Sequence, residues 1–224
     1  MGECDGCEGW GMNPREATLD AYLKLIARLG ADDGVVAARR EMLRRLLARL
    51  AGAKRTSGDY HAHVGGFVAD CGQSERVLAI TCAREFYYFW LDDMKKMVEM
   101  TARAGFSIHN PDFPWHGDFN ALLGAMRESG FSRFPPSLGL YLGKSFEDGA
   151  DEADIRQREH LLKALLFLLD PHPPTSSHYR MAVDALLQHL ADAAARQQLL
   201  ALVREYFGYW QSFPFSHHRK SGAR

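Results

Sequence analysis

The string Asp59-Tyr60-His61-Ala62-His63 gathers metal-capable side chains more tightly than any other stretch of the sequence. In an extended segment side chains alternate in direction, so His61 and His63 would turn both imidazoles to one side. Two such rings can share a divalent metal, with Asp59 as a hard ligand or as the group that orients a ring. His109 and His116 bracket the loop Asn110-Pro111-Asp112-Phe113-Pro114-Trp115, and His116 becomes a further ligand candidate if the two loops converge. The chemistry on offer would then be metal-dependent catalysis at His61, His63, Asp59 and His116, with a divalent cation as cofactor.

A second constellation is cationic. Arg39, Arg40, Arg44, Arg45 and Arg49, followed by Lys54 and Arg55, form the one basic concentration of the chain, opposed by Glu41 alone. On a helix, Arg40 and Arg44, with Arg45 and Arg49, would lie along a solvated outer strip whose forked guanidinium groups suit carboxylate or phosphate. The acidic stretch 147–154 of the same chain is an available partner for it. Cys4-x-x-Cys7 is half of a zinc or redox motif, with no second pair at matching spacing. Glu85 falls on an aromatic helix face and is the leading buried-carboxylate candidate, its use set by whether a cation pairs with it. Helical Glu-x-x-His pairs, a nucleophile elbow and a completed phosphate loop are all lacking, and Asp92-Asp93 runs into Met94-Lys95-Lys96 rather than an aspartate-rich motif.

Two short resemblances attach to these residues. Asp59 to His63 resembles the Asp-x-His-x-His opening strand of amidohydrolase-type metal hydrolases, which implies a barrel of parallel strands. Tyr206-Phe207-Gly208-Tyr209-Trp210 is similar to a Tyr-x-Gly-Tyr-Trp run in some helical immunity proteins of bacterial toxin systems, although Gln211-Ser212 follows here in place of Phe-Glu. Each covers five residues.

The elements that must position these groups read as helices. From Ser74 to Gly105 runs a long, aromatic, proline-free stretch in which Val77, Ile80, Tyr87, Leu91, Met94 and Val98 recur at helical spacing. Cys82, Phe86, Phe89, Trp90, Met97 and Met100 add a second stripe, so the reading is one long central helix over 75–104, capped by Ser74 and ended by Gly105. Asn13-Pro14 and Asp32 or Asp33 open two earlier helices that form a hairpin, and Asp118 opens a modest one ended by Gly130. Ile155 to Leu169, nearly apolar all round from Leu161, predicts a second core helix stopped by Pro171, Pro173 and Pro174. Two more follow, the last anchored by Tyr206 and Trp210. Between Ala53 and Gly72 the helical period is lost, and the glycine punctuation favours an irregular loop.

The fold expected is therefore all-α, a single-domain bundle of about eight helices over 13–212. A flexible lead over 1–12 precedes it and a polar tail over 213–224 follows. With 224 residues, 46% hydrophobic and 25% charged, the chain can bury one sizeable core or two small ones. A net charge of −1 argues against nucleic-acid binding in bulk, and leaves weak phosphate or nucleic-acid binding on the arginine strip as a third function. The acidic, glycine-rich start lacks a signal pattern, and no apolar run could span a membrane, so a soluble, cytoplasmic, reducing setting is expected. The first expectation for function is a non-catalytic helical protein-binding module that sequesters or neutralises another protein. Trp115 and Phe113 of the proline loop, with Arg40, Arg44 and Arg45, supply anchors of the types that dominate interfaces. The metal-dependent enzyme is its alternative, and self-association is compatible with both.

Overall fold

The computed structural model describes residues 14–103 and 105–212. Among these residues there are ten α-helices, one short 3₁₀ turn and no strand. The expected lead over 1–12, the Asn13 cap, the Cys4–Cys7 pair and the polar tail lie outside the described residues. None of the described helices is long and apolar enough to cross a membrane. Packing divides the chain into two compact units, one through Asn110 and one from Pro111 onward.

The first unit contains α1 (Pro14–Arg28), α2 (Asp33–Arg49), α3 (Ser57–Asp70), the turn Gln73–Glu75, α4 (Arg76–Trp90) and α5 (Met94–Ala102). Asp32 opens α2 as its N-cap, accepting the Val35 N–H at 2.8 Å. Gly30, at φ +109°, closes the α1–α2 hairpin in a conformation that costs glycine nothing. Helix α4 lies at the centre and packs against α1, α2, α3 and α5. Its Ala79, Cys82, Phe86 and Trp90 are fully buried.

The long helix expected over 75–104 is two helices. Asp92 adopts a left-handed backbone at φ +57°, the one non-glycine residue among those described to do so. Asp93 then accepts the Lys96 N–H at 3.0 Å as the N-cap of α5. Aspartate tolerates the left-handed region and competes locally for backbone N–H groups, so the Asp92-Asp93 pair breaks the rod although the apolar period runs through it. At the other end, Gln73–Glu75 leads into α4 in place of a Ser74 cap.

The stretch expected as a loop over Ala53–Gly72 is mostly the helix α3. Thr56 caps it by accepting the Asp59 N–H at 3.2 Å, and Tyr60, Phe67 and Cys71 bury a face at helical spacing. Gly58, Gly65, Gly66 and two histidines dilute that stripe, which is why its period does not stand out. At Gly66 a Cβ would come within 2.8 Å of the Arg49 guanidinium, so the glycine leaves room for Arg49 to reach across to Asp70.

At the heart of this unit lies a charged pair. Arg39, counted in the basic concentration expected to be solvated, has no accessible surface, and Glu85 is 3% exposed. Arg39 Nη1 donates to Glu85 Oε2 and to the Tyr22 hydroxyl oxygen, both at 2.6 Å, while Tyr22 donates to the same carboxylate oxygen at 2.8 Å. Nη2 donates to the His109 carbonyl at 2.9 Å and Nε to Asn110 Oδ1 at 3.3 Å. Glu85 Oε1 accepts the Ser107 N–H at 2.8 Å. Burial works against the guanidinium's charge, but the Tyr22 oxygen and the Glu85 carboxylate outweigh it and hold its pKa above the ordinary value. Burial, then the Glu85 charge, pushes the Tyr22 phenol well up, so tyrosine remains a donor.

The second unit contains α6 (Phe119–Glu128), α7 (Pro136–Glu147), α8 (Glu152–Leu169), α9 (Ser176–His189) and α10 (Ala193–Ser212). Helix α8 is its core, with Leu161, Leu162, Leu165 and Leu166 buried against its neighbours. Asp118, Asp151 and Thr175 cap α6, α8 and α9. Tyr206 and Trp210 anchor α10 inward as its spacing predicts, and the Tyr206 hydroxyl meets Ser137 Oγ at 3.0 Å.

Removing one member of a buried ion pair strands the other, at about 3–5 kcal/mol. Arg39→Met is therefore expected to lower unfolding free energy by that amount in chemical denaturation. Tyr22→Phe, which deletes the hydroxyl's bonds to both Glu85 and Arg39, should cost at least about 1.5–3 kcal/mol. The double variant should cost less than the sum, since both act on one carboxylate oxygen.

Candidate functional site

Helix α3 carries His61 and His63, and a helix turns about 100° per residue, so the two rings leave on nearly opposite sides. Each is tied to its own helix: His61 Nδ1–H donates to the Ser57 carbonyl and His63 Nδ1–H to the Asp59 carbonyl, both at 2.7 Å. The Asp59 carboxylate accepts the Lys54 N–H at 3.0 Å. The extended geometry that would have aimed both imidazoles at one ion is replaced by helix, and His116 belongs to the other unit. Among the described residues no three His, Cys, Asp or Glu side chains gather as a metal site requires.

The arginine strip is largely engaged within its own unit. Arg40 pairs with Asp20 and Arg45 with Glu75, both at 3.1 Å, and Arg49 pairs with Asp70. These acids, rather than the 147–154 stretch, are the partners the structure shows. Arg44 is exposed on α2. Solvated pairs of this kind contribute about 0–1 kcal/mol each and leave the strip available to solvent.

The proline loop before α6 is built differently, because each of its aromatic rings rests on a histidine. Trp115 lies flat on His189, with ring centroids 4.4 Å apart and planes 13° from parallel, and is 42% exposed. His189 sits at the end of α9, where its Nδ1–H donates to the Gly117 carbonyl at 2.8 Å. Gly117 takes φ +97°, and Asp118 beside it accepts the Ala121 N–H at 2.9 Å to start α6. The loop is thus fixed immediately after its tryptophan. Phe113 meets His172 at 4.5 Å, and His172 in turn stacks on the buried His178 at 5.5 Å. His116 faces Phe167 at 6.0 Å.

Burial pushes both His172 and His189 below the ordinary histidine value. Asp112 pulls His172 part of the way back, and the Gly117 carbonyl does the same for His189, against the opposing effect of His116. The supporting rings are therefore kept neutral near pH 7. None of His172, His178 and His189 stands out in the sequence as a partner of the loop. The one signal is position, since His172 sits between Pro171 and Pro173 and His189 in the last turn of a capped helix.

No family model, curated protein or solved structure matches the chain, so the site is read from its own residues. What those residues define is an all-α protein that presents a braced aromatic ring to solvent. Because the folded His172 and His189 bind protons less readily than exposed histidines, the unfolded chain takes up more protons on acidification. Their effect on stability is absent well above pH 6.5 and grows as pH falls through the ordinary value toward the depressed folded one. Thermal unfolding temperature should drop between pH 7.5 and 5.5, and the His172→Gln/His189→Gln variant should show a flatter profile over that window.

Proposed function

We propose that this protein is a non-catalytic helical protein-binding module that captures a partner protein and so sequesters or neutralises it. One observation carries the reading: Trp115, a large amphipathic ring, is held rigid on His189 with nearly half its surface left to solvent. Tryptophan is among the residues that dominate interface energetics when a partner covers it. A ring stacked on His189 and followed at once by a fixed turn loses little freedom on binding, so more of its burial appears as affinity. Phe113 on His172 extends the same surface, and the exposed Arg44 of the other unit offers a separate polar contact. The polar groups nearest to a catalytic set, Glu85, Arg39, His61 and His63, are each engaged by neighbouring groups, which favours binding over chemistry.

The test is a quantitative capture experiment with the full chain as bait beside its Trp115→Ala variant. The tryptophan side chain is outside the core, so circular dichroism should be unchanged. A hot-spot residue is worth about 2 kcal/mol or more, so recovery of the cognate protein should fall at least roughly ten-fold. Equal recovery of the same proteins by both baits would overturn the assignment of Trp115.

A further inference from the structure

A second apolar surface lies wholly in the first unit and does not depend on the Trp115 reading. Helices α1 and α5 do not pack on one another, and between them runs a cleft of about 680 Å³. Ala17, Ala21 and Leu25 form one wall, and Met94, Val98 and Thr101 the other, over a floor of Phe89 and Met97. Met94 and Val98 are 63% and 64% exposed, although they sit one turn apart on one face of α5. The wall from Ala17 to Leu25 is about 12 Å long, two turns of helix. An open slot of that length, walled by two helices and lined by adaptable methionine, fits the apolar face of a third helix.

The rims say which helix. On α1, Lys24 and Arg28 follow Ala21 and Leu25 by three and by three residues, which sets them along the outer edge of that wall. On α5, Lys95 follows Met94 on the outer edge of the other. All three are exposed, and no ion pair or hydrogen bond engages their side chains among the described residues. Asp92 is the one carboxylate lining the cleft, at its Met94 end. A second copy seated cleft to cleft would bring Lys95 against Lys24 and Arg28, like charge against like, so the rims disfavour that pairing.

We infer that the α1–α5 cleft receives an amphipathic helix with acidic flanks from a partner protein, its N-terminal end over Asp92. The partner's apolar stripe covers Met94 and Val98. Its flanking carboxylates meet Lys24 and Arg28 on one side and Lys95 on the other. The positive end of its helix dipole faces Asp92, and its negative end lies toward Arg28.

Two synthetic 16-residue peptides test this with the full-length protein. Both carry leucines at i, i+3, i+4 and i+7; one has glutamates on the flanks of that stripe and the other lysines. In calorimetry the acidic peptide should bind one to one, at least ten-fold tighter than the basic one, and weaken with added salt. Val98→Asp should reduce its affinity at least ten-fold, and Lys24→Glu/Arg28→Glu should reverse the preference between peptides. These positions are exposed, so circular dichroism should match the parent. Failure of the acidic peptide to bind, binding indifferent to flank charge, or binding untouched by Val98→Asp would each overturn the inference. So would sedimentation showing a dimer that Val98→Asp dissolves, since the occupant would then be a second copy.

Discussion

A guanidinium with no path to water is tolerable only where acceptors surround it and an opposite charge stands close. Arg39 meets that condition with four groups drawn from three different parts of the chain: Tyr22 on α1, Glu85 on α4, and the His109 carbonyl and Asn110 side chain beyond α5. Glu85 closes the circle by holding the Ser107 N–H. The segment 105–110 has no helix of its own, so these bonds are what return the chain to the level of Glu85 after α5. Phe106 on the same segment is buried against Tyr22 and Phe89, so apolar packing holds that return beside the charged cluster. A buried ionic cluster of this kind contributes less to net stability than its short bonds suggest, because desolvation offsets much of the attraction. What it does is join α1, α2, α4 and the segment after α5, each of which supplies a donor or an acceptor to the cluster.

The helical character of the chain was legible because apolar spacing and capping residues agree. Asp32 and Asp118 open helices where their positions predict, and the leucines of α8 form the core of the second unit. What was not legible follows from forces that spacing does not record. The stripe of α3 is carried by Tyr60, Phe67 and Cys71 through a glycine-rich background, and its helix is fixed by Thr56 at one end and packing on α4 along its length. Arg39 reads as one of five arginines on a wet face, yet it is buried because Glu85 lies 46 positions away in sequence and adjacent in space. The loop around Trp115 was visible as an aromatic surface, whereas the histidines that brace it come from α9 and the segment before it, and only folding brings them under the loop.

Polar side chains of the two units are used to opposite ends. In the first unit charge is kept inside, paired and hydrogen-bonded, and the surface between α1 and α5 is apolar. In the second, neutral imidazoles serve as flat apolar supports, with burial holding their protons off. Both arrangements leave apolar surface in contact with water at a definite place, where a braced tryptophan or a pair of aliphatic side chains projects. Scattered exposed apolar residues need no explanation, but a rigid ring and a lined cleft concentrate that exposure where a partner can cover it.

Asp92 ties the departure from the expected fold to the surface that results. Had the apolar stripe continued straight through Leu91, Met94 and Val98 would have extended a single rod, with their face turned to the same neighbours as Phe86 and Trp90. The left-handed residue and the Asp93 cap turn α5 off that axis instead, and the two stripes part: Met97 of the second stays on the core while Met94 and Val98 of the first face the gap beside α1. Aspartate lets the turn form at small cost, where a β-branched residue would resist it. The same side chain then remains at the mouth of the cleft as its one carboxylate, so a local backbone choice sets both the shape of the groove and the sign of charge at one end of it.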